Sequence, residues 1–218
     1  MAGATGYMGG RLIPELVTRG HAVRALVRPG SEHKLSEGCT PVSGNALDSA
    51  SYAPKVLPAD TFVHLVGTPR PAPWKADRFL FVDLISLRAA ITAAQSAAIR
   101  HFVYVSVAHP TPLMHAYIRV RVECEASLRA SGLNATLLRP WYVIGPRHRW
   151  PLLLLPGYWL CERLPATRDA AMRLGLVTLD QMTQALLWAI EHPPQGIHVL
   201  DVPTIRGRPR TCERRNVK

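Results

Sequence analysis

Three glycines at a spacing of three, in Gly3-Ala-Thr-Gly6-Tyr-Met-Gly9, open the chain and run straight into an apolar helical stripe of Leu12, Ile13, Leu16 and Val17. Such a turn brings bare backbone close to a pyrophosphate and aims helix N-terminal N–H groups at its charge. Glycine permits both because it has no Cβ. Gly3, Thr5, Gly6, Tyr7, Met8 and Gly9 are therefore the first candidates for holding a dinucleotide. His21 to Val27 then reads as a strand, and at its end stands Arg28, followed by Ser31, His33 and Lys34, with Glu32 the nearest carboxylate. An acid in that place accepts from a ribose 2′-hydroxyl and selects NAD, whereas a cation accommodates the 2′-phosphate of NADP. Arg28 points to NADP with NAD the lesser choice, the alternative being a solvated arginine at a strand end.

Other chemistries find little support. Cys39, Cys124, Cys161 and Cys212 are scattered without a C-x-x-C pair, and none of the nine histidines falls in H-E-x-x-H or combines with cysteine at zinc-finger spacing, so neither a disulfide framework nor a metal centre is expected. The formal charge of +11 raises nucleic acid as a partner. Its distribution argues otherwise, because Thr204 to Lys218 carry five Arg and one Lys against one Glu, a net of +5 that leaves +6 for the rest. No nucleic-acid reader motif accompanies it, and a solvated, disordered basic tail over 206–218 is the expectation.

The elements that must position these residues alternate. Thr61 to Val66 and His101 to Ser106 read as strands, with an Ala-rich helix from about Asp77 to Ala98 between them. A second helix spans about Pro112 to Ala130, closed by Ser131-Gly132, and Asn134 to Leu138 is a further strand. Pro41 to Ser43 and Ile197 to Asp201 are short strand candidates. Thr178-Leu-Asp-Gln181 is a capping box that starts a helix with Met182, Ala185, Leu186 and Ala189 on its buried stripe. Strands joined through helices pair in parallel by right-handed crossovers, which predicts an α/β fold with a doubly wound, Rossmann-like parallel sheet over 1–205. The rhythm breaks after Arg139-Pro140, so residues 141–192 are expected to contribute a small lobe over a substrate.

Taken together these features resemble the short-chain dehydrogenase/reductase superfamily, in its atypical or extended branch, which includes the NmrA-like regulators and the complex I accessory subunit. The resemblance covers Met1 to about Ile205. Gly44-Asn-Ala-Leu-Asp48 looks like the family's G-D-x-x-D turn beside the adenine, with Asn45 in place of Asp, which implies cofactor contacts from Asn45 and Ala46. Leu65-Val66-Gly67 matches the strand end beneath the cofactor, and Arg139-Pro140 with Gly145-Pro146 resembles the R-P…G-P segment near the nicotinamide. For catalysis the resemblance implies Ser106 as orienter of the substrate oxygen and Tyr117 as general acid/base. Arg121 stands where the family has the Lys of Y-x-x-x-K, on the same helix face as Tyr117. An arginine keeps the charge but is effectively never deprotonated, so it relays protons poorly. Tyr117 can equally be an aromatic packed on its helix.

The resemblance implies an NADP-dependent oxidoreductase acting on a small carbonyl, an alcohol or a nucleotide-sugar-like substrate. Arg121 leaves open a second possibility, an NAD(P)H-binding redox sensor or assembly factor without turnover. The segment Trp150 to Leu160, beside Arg147 and Arg149, could roof a substrate pocket or make a weak contact with a membrane surface, although its prolines oppose an amphipathic helix. No basic and apolar leader opens the chain, which leads to a cytoplasmic expectation, and the oligomeric state has no signal. Finally, the glycine-rich turn normally follows the central strand of the sheet, yet only Met1 and Ala2 precede Gly3. The first strand is expected to be missing, with unpaired backbone groups, poor solubility and weak cofactor binding unless the natural chain extends further.

Overall fold

The computed structural model describes residues 1–69, 71–111, 113–146, 153 and 155–207. Strand β1 (Val23–Val27) pairs in parallel with β2 (Cys39–Ser43). Strands β3 (Thr61–His64), β4 (His101–Val105), β5 (Asn134–Leu138) and β8 (Ile197–Leu200) form a second parallel run in that order. Ala2 joins the two runs, making a parallel bridge to Leu26 on one side and to His64 on the other. The order is β2-β1-Ala2-β3-β4-β5-β8, the doubly wound arrangement, with Ala2 in the central place.

The Met1-Ala2 dipeptide uses its backbone fully. Ala2 N donates to Val63 O at 2.8 Å and Ala2 O accepts from Leu65 N at 2.9 Å; Met1 O accepts from Leu26 N at 2.8 Å. The Met1 amine donates to Arg24 O at 2.6 Å. On the amine side of Met1 the sheet opens into a cavity of about 60 Å³ lined by Arg24, Leu26, Tyr52 and Phe62 among others.

Every residue of β4 is buried, as a strand covered on both faces requires. Phe102 and Tyr104 turn to one apolar core, where Phe62 and Phe102 stack at 5.3 Å. Val103 and Val105 turn to the other, shared with Leu12, Ile13 and Leu16 of α1 (Gly9–Thr18) and with Met182, Ala185 and Leu186 of α7 (Leu179–Glu191). The predicted capping box is formed: Thr178 Oγ1 accepts from Gln181 N, and Gln181 Oε1 accepts from Thr178 N.

On the first face lie α2 (Ala76–Arg78), a π-helical turn over Phe79–Leu84, α3 (Ile85–Ser96) and α4 (His115–Ala130). After β5 come β6 (Tyr142–Ile144), which pairs with β7 (Leu176–Thr178), and between them α5 (Leu155–Arg163) and α6 (Pro165–Arg173); α8 (Val202–Arg206) closes the described chain. Helix α5 corrects the expectation that prolines oppose a helix there. Pro156 occupies its first turn, where a backbone N–H has no helical acceptor to lose. Trp150, with Arg147 and Arg149, lies outside the described residues, as does the tail from residue 208.

Candidate active site

The glycine-rich turn leaves the sheet at Ala2 and packs on the end of β3. Gly3 has φ +83°, and a Cβ there would lie 2.8 Å from the Leu65 carbonyl carbon; one on Gly9 would lie 2.5 Å from the carbonyl oxygens of Gly3 and Ala4. Both positions therefore exclude any side chain. Helix α1 begins without a side-chain cap from Met8 and without an acid in its first turn, so the positive end of its dipole has no anionic side chain of its own, although Gly10 N and Arg11 N already donate to Gly6 O at 2.9 Å and Met8 O at 3.2 Å. Nothing stands within 4 Å of the place where a Cβ on Gly10 would project. These features fit a dinucleotide pyrophosphate. Tyr7 reaches across the turn so that its hydroxyl lies over Gly145.

Arg28 and Asn45 sit at the carboxyl ends of adjacent strands, tied by Gly44 N to Val27 O at 3.0 Å. Arg28 is exposed. Asn45 folds its side chain back, accepting from Leu47 N at 3.1 Å, which leaves its amide N–H₂ as the group able to address an adenine. Ala46 packs against the adjoining core.

Arg121 is buried and surrounded. It donates to Asp83 Oδ1 at 2.6 Å, to the Tyr104 hydroxyl at 3.0 Å and to Val105 O at 2.9 Å. Its guanidinium carbon stands 5.0 Å from the centre of the Tyr117 ring. One guanidinium nitrogen lies 2.5 Å from where a Cβ on Gly67 would be, so the arginine covers that strand end. Asp83, in the π-helical turn, also accepts from Thr68 N at 3.0 Å and Thr68 Oγ1 at 2.6 Å. The charge at the family's lysine position is thus balanced by a buried carboxylate that also fixes the residue after Gly67.

Tyr117 is held between Arg121 and Phe79, whose ring centre is 5.0 Å away. Burial raises its pKa, outweighing the opposite pull of the Arg121 charge, so the phenol is neutral and able to donate a proton. Ser106 donates to Glu125 Oε1 at 2.6 Å. Its hydroxyl proton is committed, leaving lone pairs toward any ligand. Arg139 forms a two-pronged contact with the same Glu125, and His109 Nε2 lies 3.4 Å from its Oε1. Burial pushes Glu125 up, but the hydrogen bonds of Arg139 and Ser106 and the nearby charges bring its pKa below the ordinary value.

The structure brings Gly67, Tyr117 and Arg121 together at one end of the sheet. Val66 packs against the core beneath them. Pro140 accepts from Ala108 N at 2.8 Å, just beyond Ser106. Sequence reasoning missed Asp83 and Glu125. The available signal was an acid on each buried helical stripe: Asp83 follows Phe79 by four residues and Glu125 follows Arg121 by four.

Residues 3–147 match the family described as NAD(P)H-binding. The ceramide reductase of Caulobacter vibrioides is 27% identical over 201 residues, covering 90% of this chain and 62% of that protein. An uncharacterized chloroplastic protein of Arabidopsis thaliana is 28% identical over 165 residues, covering 64% of this chain and 57% of that protein. The chain thus spans about 60% of the length of these relatives. Among solved structures, the Bordetella bronchiseptica enzyme WbmH in complex with NAD+ superposes with a TM-score of 0.67 at 19% identity, over 92% of this chain and 73% of that one. MoeE5 in complex with UDP-glucose and NAD gives 0.67 at 19% identity, over 94% and 78%. A UDP-galactose 4-epimerase gives 0.68 at 14% identity, over 91% and 74%. The fold is that of NAD(P)H-binding oxidoreductases and epimerases.

Proposed function

The chain belongs to the NAD(P)H-binding family, and from that premise we propose that it is an NADP-dependent oxidoreductase that reduces a carbonyl to an alcohol. The observation that carries this is the neutral Tyr117 phenol held between Phe79 and the Arg121 guanidinium, beside the Gly67 strand end. The glycine-rich turn from Gly3 to Gly9 would hold the pyrophosphate, Asn45 the adenine and Arg28 the 2′-phosphate. NADPH, when bound, supplies the hydride that reaches the carbonyl carbon. Tyr117 gives its proton to the carbonyl oxygen, and its neutrality suits the reductive direction, in which the phenol starts protonated. Arg121 stabilises the phenolate left behind by its charge over the ring, and the phenolate recovers its proton from solvent, since a guanidinium does not give one up. Ser106 contributes an acceptor to the substrate, its proton being held by Glu125.

Similarity to a ceramide reductase supports the reductive direction and a carbonyl substrate, and the UDP-sugar complexes among the structural neighbours support a nucleotide-sugar-like one. A second reading, an NAD(P)H-binding sensor or assembly factor without turnover, is favoured by one observation: Asp83 neutralises the charge at the family's lysine position. Turnover of a carbonyl panel with NADPH, compared between the chain and Tyr117→Phe, separates the two. NADPH-dependent reduction that the phenylalanine variant loses supports the enzyme. Tight NADPH binding with no reduction of any carbonyl supports the sensor.

A further inference from the structure

The side chain of Tyr7 spans the gap between the glycine-rich turn and the segment that follows β6. A Cβ on Gly145 would stand 2.1 Å from the Tyr7 hydroxyl oxygen, 3.3 Å from its Cζ and 3.0 Å from Leu179 Cβ. Only a residue without a side chain lets the phenol lie there. Tyr7 is 38% exposed, so solvent reaches one side of the ring while its hydroxyl end is seated on Gly145. Partial burial raises its pKa, which keeps the phenol neutral.

Both sides of the gap are anchored. The turn is closed by Gly6 N donating to Gly3 O at 3.0 Å and by Gly10 N donating to Gly6 O at 2.9 Å, and it continues into α1. Gly145 follows β6, whose Ile144 pairs with Thr178, the residue that caps α7. Helices α1 and α7 share one apolar core through Leu12, Ile13, Met182 and Leu186. Close packing of that core holds the turn and Gly145 at a fixed separation. The movable part is the Tyr7 side chain, which can swing to solvent about its own bonds while the backbone stays in place.

A pyrophosphate on the Gly3–Gly9 turn lies at the foot of this span, because Tyr7 and its neighbours supply the backbone that faces it. We propose that Tyr7, closed on Gly145, gates the entry and release of the dinucleotide. The proposal rests on the cofactor site of the proposed function and not on turnover. A gate multiplies both rates by the fraction of time that it stands open, so it slows exchange and leaves affinity nearly unchanged. A side chain that merely touches the cofactor acts mostly on release.

Stopped-flow fluorescence of NADPH with the full chain measures both rates, association on mixing and release on a chase with excess NADP+. Tyr7→Ala removes the span and should raise the two rate constants together, each by about tenfold for a gate open about a tenth of the time, while the dissociation constant moves by less than about threefold. Gly145→Ala acts from the other side, placing a methyl where the hydroxyl lies. It should raise both rates in the same way, which covers the case in which Tyr7→Ala perturbs the turn. Release that quickens while association stays constant would make Tyr7 a contact of the cofactor and overturn the gate. So would unchanged rates in both folded variants. An unmodified chain that binds no NADPH refutes the cofactor site itself, and the gate falls with it.

Discussion

Replacing Asp83 by asparagine removes a charge and little volume, so the consequences can be worked from the contacts. The carboxylate accepts three hydrogen bonds, from Arg121 at 2.6 Å, from Thr68 N at 3.0 Å and from Thr68 Oγ1 at 2.6 Å. An amide has one oxygen, so in either orientation its N–H₂ must face a donor. A charge-assisted bond is lost and Arg121 is left as a buried cation without its partner, a change that typically costs about 3–5 kcal/mol. For a domain of this size that lowers the melting temperature by roughly 6–20 °C. Asp83→Leu with Arg121→Met removes both charges together. Thr68 N then lacks its acceptor, and Val105 O and the Tyr104 hydroxyl lose the Arg121 donor, at about 1–3 kcal/mol for each group that finds no other partner, but no unpaired buried charge remains, so the double variant should be destabilised by an amount comparable to Asp83→Asn rather than by the sum of two such losses. Urea unfolding of all three proteins measures this, with NADPH affinity and carbonyl reduction recorded in parallel. The double variant should keep its cofactor and lose turnover, because no charge remains over the Tyr117 ring. A cost below about 1 kcal/mol for Asp83→Asn would refute the coupling, since even a neutral buried hydrogen bond is worth that much. A double variant with full turnover would show that Tyr117 needs no cation.

Tyr117→Phe should lower carbonyl reduction by about 10²- to 10⁴-fold, the usual contribution of a general acid, with NADPH affinity unchanged in calorimetry. Normal rates in that variant would place the proton donor elsewhere. Calorimetric titration should show NADPH binding more tightly than NADH, and Arg28→Ala should bring the two together; an unchanged ratio would free Arg28 from the 2′-phosphate. Gly9→Ala should abolish binding of both, since its methyl would collide with the carbonyl oxygens of Gly3 and Ala4. His64 and His101 are buried, and desolvation lowers their pKa values to about 3 and about 4, with the charge of Arg121 adding to the effect at His64. Both folded values lie below the unfolded value near 6.5, so this stability is complete above about pH 6.5 and is lost as pH falls, by about 1.4 kcal/mol per unit for each histidine. Urea midpoints at pH 7, 6 and 5 should therefore decline steadily, and equal midpoints would show that neither histidine is held neutral.

What the sequence made legible was whatever a short window contains. His101 to Val105 is an unbroken apolar run beside no turn former, and Asn134 to Leu138 follows a helix closed by Ser131-Gly132, so both strands could be placed to within a residue. The glycine turn and the Thr178–Gln181 box each complete their hydrogen bonding within a few residues. Arg121 could be placed on the Tyr117 face, but its partner Asp83 is 38 residues away and reaches it only through a π-helical turn that no periodicity announces. Glu125 was within reach of a helical count, yet its meaning depends on Ser106 and Arg139 arriving from two different strand ends. The place of Ala2 between β1 and β3 was likewise invisible, because two residues carry no strand pattern; the groups expected to lack partners at that level are instead satisfied by the dipeptide.

Between β1 and β3, where Ala2 bridges to Leu26 and His64, the two runs of the sheet meet at a seam. On one side stand β1, β2, Arg28 and Asn45; on the other stand β3, Gly67 and the Tyr117 cluster. One face of the seam is clamped by α1 and α7, with Arg19 bonded to Glu191 and Gln184 across the helices, while the other opens into the cavity beside Tyr52. A dinucleotide laid along the strand ends crosses the seam, with its adenine half on one bank and its nicotinamide half on the other. Such a ligand acts as a stitch. Its binding energy enters the free energy of holding the two banks together, about 2.7 kcal/mol at a concentration one hundred times its dissociation constant. Hydrogen exchange at Leu26 and Leu65, the amides that Met1 and Ala2 hold from either bank, then reports cofactor occupancy from inside the sheet rather than from the pocket.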